Sequence, residues 1–293
     1  FIILSFTPSN LLRTEGFATA SMTGTILGSI VNIILDPIFI SVLGLGAAGA
    51  AIATVLGNIC ADLFFVWFLM TKSRKLSINP AGFHISGAEI GQILAIGFPA
   101  SITNFMQSLG IALTNRSLLP YGNERVAAMG IVMKVNMIAV LILVGFAFGG
   151  QPLIGYNYGA GNRKRLKEIL SFAYRFECGG ALLLALVLSF AARPMIELFI
   201  KDPVIVDAGI PMLRMQLAGM PFVAVVLITT CVFQSAGKAW NAFLLSVSRQ
   251  GVLFAVVLFL ASSLAGYYGV LAAQAVSDLL TALLAVWLFM KKE

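Results

Sequence analysis

The chain consists of apolar blocks of about 20 residues, separated by short breaks that carry polar residues, Gly or Pro. An α-helix needs about 20 residues to cross the roughly 30 Å hydrocarbon core of a bilayer. A membrane-spanning barrel would instead show alternating segments of about ten residues with a polar lumen face. Hydrophobic residues make up 59% of the chain and charged residues 11%, whereas soluble domains carry roughly 25% charge. The sequence therefore predicts an all-α polytopic membrane protein.

Eight complete blocks predict eight spanning helices, and a ninth block is partial. The complete blocks are residues 17–40, 49–71, 90–116, 125–149, 169–192, 206–233, 241–263 and 269–290, and the partial block is residues 1–12. We take consecutive helices to run in opposite directions.

Basic residues are concentrated in alternate loops of this arrangement. One set of loops holds eleven of them: Arg13, Lys72, Arg74, Lys75, Arg163, Lys164, Arg165, Lys167, Lys238, Lys291 and Lys292. The other set holds four, Arg116, Arg125, Arg193 and Lys201. The positive-inside rule therefore predicts that the first set and the C-terminus face the cytoplasm. The net charge of +7 is explained by this orientation, and no nucleic-acid partner is expected.

Residues 44–72 and 264–292 repeat one another at an offset of 220 positions. The aligned pairs are Gly46 and Gly266, Gly49 and Gly269, Ala53 and Ala273, Trp67 and Trp287, and Met70 and Met290. Shared composition alone is the weaker explanation, because Gly, Trp and Met all keep register. Both repeats run toward the predicted cytoplasmic side, so the two halves share one orientation, as in some secondary transporters.

The repeat divides the chain into three predicted parts. Residues 1–71 form the remnant of an N-terminal lobe, with a partial fourth helix and the fifth and sixth helices. Residues 72–89 form a cytoplasmic linker, and residues 90–293 form a C-terminal lobe of six helices. If the two lobes match, the complete protein has twelve helices, and we expect about 130 residues, or about three and a half helices, ahead of residue 1.

The stretch "GSIVNIILDPIFI" (28–40) places polar residues inside an apolar block. Asn32 and Asp36 share one helix face, because residues four apart lie one turn from each other. Pro37 lacks an amide hydrogen, so we expect it to loosen the helix at Asp36 and to free backbone carbonyls that line a cavity. An ionised carboxylate in hydrocarbon costs several kcal/mol or more, so it must be protonated, paired or in contact with water.

Two interpretations of the intramembrane acids remain open. Asp36 either caps the helix end near the outer interface, or exchanges a proton or Na⁺ while Asn32 supplies an amide. The rarity of acids within membrane helices favours the second. Asp62 and Asp278 also lie mid-helix, and they either face the same interior or tie helices together.

The helix predicted at residues 125–149 carries Met129, Met133 and Met137 on one face. Thioether side chains adapt to varied ligands, but packing against a neighbouring helix explains this stripe at least as well. Lys134 lies about 15 Å along the same helix, which is beyond comfortable snorkelling. We therefore expect it to meet a carboxylate or polar groups across a cavity.

Five segments, "LLRTEG", "NIILDPIFI", "GAAGAAIAT", "GFPA" and "GGQPLIGYNYGAGNRKR", together resemble the bacterial branch of the multidrug and toxic compound extrusion (MATE) family. The likeness runs along the whole chain. It implies a two-lobe MATE-type helix bundle arranged as a V around a central cavity. It also implies export of cationic amphipathic compounds in exchange for H⁺ or Na⁺.

Carried over residue by residue, the resemblance places Asn32 and Asp36 in an N-lobe cation pocket, with Thr54 and Asn10 as partners. An Asp on the family's first helix would complete that pocket. Some members instead carry C-lobe acids on the seventh and tenth helices. This sequence has Gln107 at the seventh-helix position and no acid between Pro211 and Gln234, so coupling to H⁺ through the N-lobe is favoured over Na⁺.

The sequence thus predicts a multi-pass exporter of the bacterial cytoplasmic (inner) membrane, acting as a monomer on small cationic organic substrates. Gln107, Lys134, Met129, Met133, Met137, Asp278 and Asp62 are the candidates for its substrate cavity. No cofactor or resident metal is expected beyond the coupling ion, and the chain lacks an H-E-x-x-H motif or a Ser/His couple that would indicate an enzyme. The alternative is a lipid-linked saccharide flippase of the same superfamily, which would need basic residues such as Lys134, Arg175, Arg214 and Arg249 to bind pyrophosphate.

Overall fold

The structure, a computed structural model, describes residues 2–72 and 86–291. Within these ranges the chain is almost entirely helical and contains no strand, which confirms the predicted fold class. The chain separates into a first unit, Phe1–Ser86, and a second unit, Gly87–Glu293. The predicted linker 72–89 falls mainly on residues 73–85, outside the described residues. Its two ends are helical, because Lys72 ends one helix and Gly87 begins the next.

The first unit contains three helices, α1 (Ile2–Thr14), α2 (Ala18–Pro37) and α3 (Gly46–Lys72). Its apolar core is small and consists of Leu12, Ala61, Phe65 and Leu69. Many other large apolar side chains of these helices are exposed, as expected for helices that face lipid.

Two glycines bring α2 and α3 into backbone contact. A Cβ atom on Gly28 would lie 2.8 Å from the carbonyl oxygen of Gly57, and one on Gly57 would lie 2.6 Å from the carbonyl oxygen of Gly28. The Gly57 position is also tight against Asn32, whose Cβ would be 3.1 Å away. Small residues allow membrane helices to approach this closely, since lipid provides no hydrophobic force between them.

The helix is loosened after Pro37, about one turn beyond the position at Asp36 where this was predicted. The α-helical part of α2 ends at Pro37, and a π-helical turn follows over Ile38–Val42. In this turn the Leu43 amide donates to the carbonyl of Ile38 at 2.9 Å. The loosened backbone therefore lies beyond Asp36, at the end of the helix.

The second unit contains eight helices. They are α4 (Gly87–Leu118), α5 (Asn123–Gly159), α6 (Arg163–Phe190), α7 (Ala192–Glu197), α8 (Pro203–Ala218), α9 (Met220–Ser235), α10 (Ala239–Gln250) and α11 (Val252–Met290). Their main core is built largely from α5, α6, α8, α9 and α11. The predicted helix 206–233 is broken, because α8 and α9 meet at a bend of 41°.

Two helices extend beyond their predicted ends. Helix α5 has 37 residues, or about 55 Å, because hydropathy marks the edge of the membrane while the helix continues to Gly159. Helix α6 begins at Arg163 rather than at residue 169, because the side chain of Asn162 accepts a hydrogen bond from the Arg165 amide at 3.2 Å and caps the basic first turn.

The last two predicted helices are joined without a loop. The apolar stretch Trp240–Met290 is continuous over 51 residues, which at 1.5 Å per residue is more than twice the bilayer core. At Gly266 the backbone leaves helical geometry, with φ 55° and ψ −126°. Arg249 and Asp278, on either side of this kink, are in contact at 2.8 Å. The chain therefore folds back at Gly266 and forms a helical hairpin.

The internal repeat is visible in the local structure. Gly46 and Gly266 both adopt positive φ, 52° and 55°, which only Gly does readily. Ala53 and Ala273 are both fully buried, whereas Trp67 and Trp287 are 56% and 51% exposed. Aligned positions thus have the same backbone conformation or the same burial. The repeat is therefore a repeat of structure and not only of amino-acid composition.

Five helices within the described residues are long and apolar enough to cross a membrane, or six if the bent pair α8 and α9 forms one span. The sequence predicted eight. Part of the difference between five and eight is a matter of counting. The stretch Trp240–Met290 counts as one of the five but contains two of the predicted helices. Helix α4, predicted as a span at 90–116, is not among them.

Candidate functional site

Three polar stripes of the first unit surround a cavity of about 270 Å³. Each stripe follows one helix face at a spacing of three or four residues. The stripes are Ser5, Ser9 and Arg13 on α1, Thr25, Ser29 and Asn32 on α2, and Thr54 and Asn58 on α3, with Asn10 also on the wall. Gly28, Ala61 and the rings of Phe6 and Phe65 complete the lining.

Asn32 connects α2 to α3 at this cavity. Its Nδ2 group donates to Oδ1 of Asp36 and to Oγ1 of Thr54, both at 3.4 Å. These contacts are long for hydrogen bonds, so they position the groups without holding them tightly. The Thr54 hydroxyl itself donates to the carbonyl of Ala50 at 2.9 Å, which fixes its orientation on α3.

The structure therefore brings together the four residues predicted for a cation pocket, but not equally. Asn10, Asn32 and Thr54 line the cavity, whereas Asp36 reaches it only through the amide of Asn32. On α2 the lining ends at Asn32, so the carbonyls around Pro37, predicted to line a cavity, do not line this one. Asp36 lies in the last turn of the helix and is half-buried.

A second carboxylate lies behind the cavity wall. Asp62 accepts a hydrogen bond from the Ser5 hydroxyl at 2.7 Å, and its other oxygen, Oδ2, is buried without a partner among the described residues. Asp62 was predicted either to face an interior or to tie helices together. Its contact with Ser5 joins α1 to α3.

Several polar residues of this wall were missed by the sequence analysis. Ser9 and Ser21 share a hydrogen bond at 2.8 Å, and Nε of Arg13 donates to the Ser21 hydroxyl at 3.0 Å. Asn58 donates to the carbonyl of Thr54 at 2.9 Å. The signal was present, because Ser5, Ser9 and Arg13 recur every fourth residue, as do Thr54, Asn58 and Asp62.

The methionine stripe of α5 does not form a single surface. Met129 is completely buried in the main core, and Met133 packs against the same core. Met137 is 62% exposed. The three side chains thus have different surroundings, and two of them contribute to packing.

Gln107 and Lys134 are exposed residues of α4 and α5. The ion pairs among the described residues of the second unit involve Arg193 and Arg249 but not Lys134. Lys134 was predicted to meet a carboxylate or polar groups across a cavity, and the described residues of the second unit show neither beside it.

Asp278 is buried in a polar cluster of the second unit. It accepts a hydrogen bond from Nε of Arg249 at 2.8 Å and one from the amide of Gln274 at 3.1 Å. Ser277 adds a hydrogen bond to the backbone carbonyl of Arg249 at 3.1 Å. These contacts join α10 to α11, and both hydrogen bonds to Asp278 are accepted by its Oδ1 atom.

The cavity of the first unit offers the chemistry of a cation site. Amide and hydroxyl oxygens of Asn10, Asn32, Thr54 and Asn58 are acceptors, and Asp36 adds a carboxylate one contact away. Such oxygen ligands suit H⁺ or a hard cation such as Na⁺. The fold and this site together define a multi-pass helical membrane protein with polar groups gathered inside its helix bundle.

Comparisons with known proteins agree with this class. The MatE family profile matches residues 99–260, more than half of the chain. The chain belongs to the MatE family.

Curated relatives include "Multidrug export protein MepA" of Staphylococcus haemolyticus, which is 31% identical over 98% of this chain. The protein of the same name from Staphylococcus aureus strain N315 is 30% identical. The chain spans 63% of the length of each of these two relatives.

A solved structure of MATE in complex with MaL6 is similar to this chain, with a TM-score of 0.89 and 25% sequence identity. The alignment covers 99% of this chain and 66% of that one. The helix arrangement is thus shared with MATE transporters, as the sequence resemblance implied.

Proposed function

We propose that the complete protein is a secondary active multidrug exporter that moves cationic amphipathic compounds in exchange for H⁺. It acts as a monomer in the bacterial cytoplasmic (inner) membrane, with its C-terminus in the cytoplasm and no cofactor beyond the coupling ion. The similarity to multidrug export proteins supports the substrate class. The positive-inside distribution of Lys and Arg supports the orientation.

The observation that carries the proposal is the bridge made by Asn32 between Asp36 and Thr54. An ionised Asp36 accepts a hydrogen bond from the Asn32 amide, and protonation weakens this hydrogen bond because the carboxyl loses its charge. The same amide group contacts Thr54 on α3. The protonation state of Asp36 therefore affects how α2 is joined to α3, which is a way for a coupling ion to shift the balance between conformations.

The cavity is small enough to suit a coupling ion. Its volume, about 270 Å³, lies near the lower end of the roughly 300–1,000 Å³ typical of pockets for drug-sized ligands. A proton or a small hydrated cation fits such a space. The substrate itself is then expected to occupy a different, larger cavity of the complete protein.

The flippase alternative loses one of the four basic residues named for it. A pyrophosphate-linked cargo requires free basic groups, and Arg249 is already bound by Asp278 in the described structure. The side chain of Arg249 is only 13% exposed, so it is poorly placed to receive a bulky anion.

Reconstitution of the complete protein in proteoliposomes tests the proposal. We expect a proton gradient to drive efflux of ethidium, and a sodium gradient alone to drive much less. Absence of ethidium movement under both gradients would rule out the exporter. Efflux driven only by sodium would overturn the choice of coupling ion.

The Asp36→Asn variant tests the site. It keeps the size of the side chain but cannot exchange a proton, so we expect coupled efflux to be lost while the protein remains folded. Asp202→Asn is the matched control. Asp202 is exposed and caps α8 by accepting from the Val204 amide at 2.9 Å, a role that Asn also fills. If the Asp36→Asn variant exports as well as the Asp202→Asn control, Asp36 has only a structural role.

A further inference from the structure

Glu177 is a carboxylic acid enclosed within the second unit. It lies in the middle of α6, a helix of 28 residues, and is only 3% exposed. Its helix face is shared with the buried residues Leu170, Ala181 and Ala185. Glu177 therefore faces neighbouring helices and not the lipid.

The side chain lacks the partners that a buried charge requires. Its Oε1 atom is buried without a hydrogen-bond partner among the described residues. The ion pairs found in residues 2–72 and 86–291 are formed by Arg193 and Arg249 with other acids. Glu177 thus differs from Asp278, the other deeply buried acid of this unit, which has Arg249 beside it.

The titratable groups around Glu177 are weak acids rather than bases. Tyr174 and Cys178 are its neighbours on α6, and Cys231 of α9 is within electrostatic range of it. The buried positions of α5, α7 and α8, over their described lengths, carry no charged side chain. None of these groups would stabilise a negative charge on Glu177.

An ionised carboxylate in these surroundings is strongly unfavourable. Burial of an unpaired charge away from water costs several kcal/mol, and such a group takes up a proton instead. The packing seen here therefore suits the neutral carboxylic acid. Ionisation requires water or a new donor to reach the side chain.

The element next to Glu177 is the break between α8 and α9. Cys178 donates a weak hydrogen bond to the carbonyl of Pro221 at 4.0 Å, just after the 41° bend. Tyr174 and Thr229 share a hydrogen bond at 2.9 Å further along α9. Glu177 lies between these two contacts along α6, and Cys231 of α9 is within electrostatic range of it, so it faces α9. Broken helices next to polar groups are a common feature of ion sites in transporters.

We propose that Glu177 is a second proton-exchanging residue of the exporter, neutral while α6 packs against the α8 and α9 break and ionised when water reaches that contact. This inference rests on the proposed proton-coupled function. It adds a proton site in the second unit, where the sequence suggested none. The sequence analysis did not single out Glu177, which lies 14 positions after Arg163 in the middle of α6.

Infrared spectroscopy of the complete protein in lipid tests the protonation state without requiring transport. A protonated carboxyl group has a carbonyl stretching band that is distinct from the bands of a carboxylate. We expect such a band at neutral pH in the wild type, its loss in Glu177→Gln, and its retention in Glu168→Gln. Glu168 is the matched control because it is an exposed residue of the same helix. A band of unchanged intensity in Glu177→Gln overturns the proposal.

Efflux driven by a proton gradient then tests the coupling. We expect Glu177→Gln to reduce it by about fivefold or more, since coupling free energies of this kind correspond to 5- to 150-fold effects. Binding of ethidium to the detergent-solubilised variant should be unchanged. If the band disappears but efflux does not fall, Glu177 is a neutral packing residue and the proposal is wrong.

Two further results separate folding and function. Glu177→Met replaces the acid by an apolar side chain of similar length, and we expect its melting temperature to equal or exceed that of the wild type. A clear decrease would indicate that Glu177 is ionised and paired, which contradicts the proposal. If the wild type itself does not respond to a proton gradient, the exporter proposal fails, whatever the infrared bands show.

Discussion

The contact between Gly28 and Gly57 allows a quantitative test of how α2 and α3 position the cation site. In Gly57→Ala, the new methyl group would lie 2.6 Å from the carbonyl oxygen of Gly28 and 3.1 Å from Cβ of Asn32. Ordinary van der Waals contact requires about 3.5 Å or more, so the helices must separate by several tenths of an ångström or more. Thr54 lies one turn before Gly57, and its 3.4 Å contact with Asn32 is already long.

Overpacking of a tight interface costs about 1–3 kcal/mol. Gly130→Ala is the matched control, because Gly130 lies inside α5 with nothing near its added Cβ. Both variants gain the same helix propensity, about 1 kcal/mol, so this contribution cancels between them. The difference of about 1–3 kcal/mol corresponds to a melting temperature lower by roughly 2–12 °C for Gly57→Ala on the scale of a protein of about 150–250 residues, and by less in the longer complete protein.

The measurement is thermal unfolding of the two variants of the complete protein in one detergent, followed by proton-driven efflux in proteoliposomes. We expect Gly57→Ala to melt below Gly130→Ala and to lose efflux, because Asn32 is displaced from Thr54. If Gly57→Ala melts at or above the control, or exports at the wild-type rate, the close helix contact does not position the site.

Two further predictions concern single contacts. Thr54→Val removes the hydroxyl that contacts Asn32, so we expect a several-fold loss of proton-driven efflux. Thr71→Val is the control on the same helix. The Thr71 hydroxyl donates only to carbonyls of its own turn, so this variant should export normally. Removal of one partner of the buried Arg249 and Asp278 pair should lower the free energy of unfolding by about 3–5 kcal/mol. The double variant Arg249→Met with Asp278→Leu should recover most of this loss in thermal unfolding, and failure to recover would show that the two charges do not act as a pair.

The candidate site was partly accessible from the sequence, because a helix has a fixed period. Asn32 and Asp36 had to share a face, and the structure shows their contact at 3.4 Å. The stripes on α1 and α3 obey the same rule and could have been read in the same way. Glu177 could not be recognised from periodicity, since its importance depends on what surrounds it on α9 and not on its own helix.

The sequence by itself determined the helical membrane fold, the internal repeat and the family resemblance, because the length, apolarity and spacing of helical segments follow from local chemistry and the thickness of the bilayer. Only the tertiary structure decided that Asp278 is bound by Arg249, that Glu177 is enclosed without a partner, and that three polar stripes share one cavity. These properties depend on the distance between residues that are far apart in the chain. Such distances are set by packing, including the glycine contact between α2 and α3, which no single helix specifies.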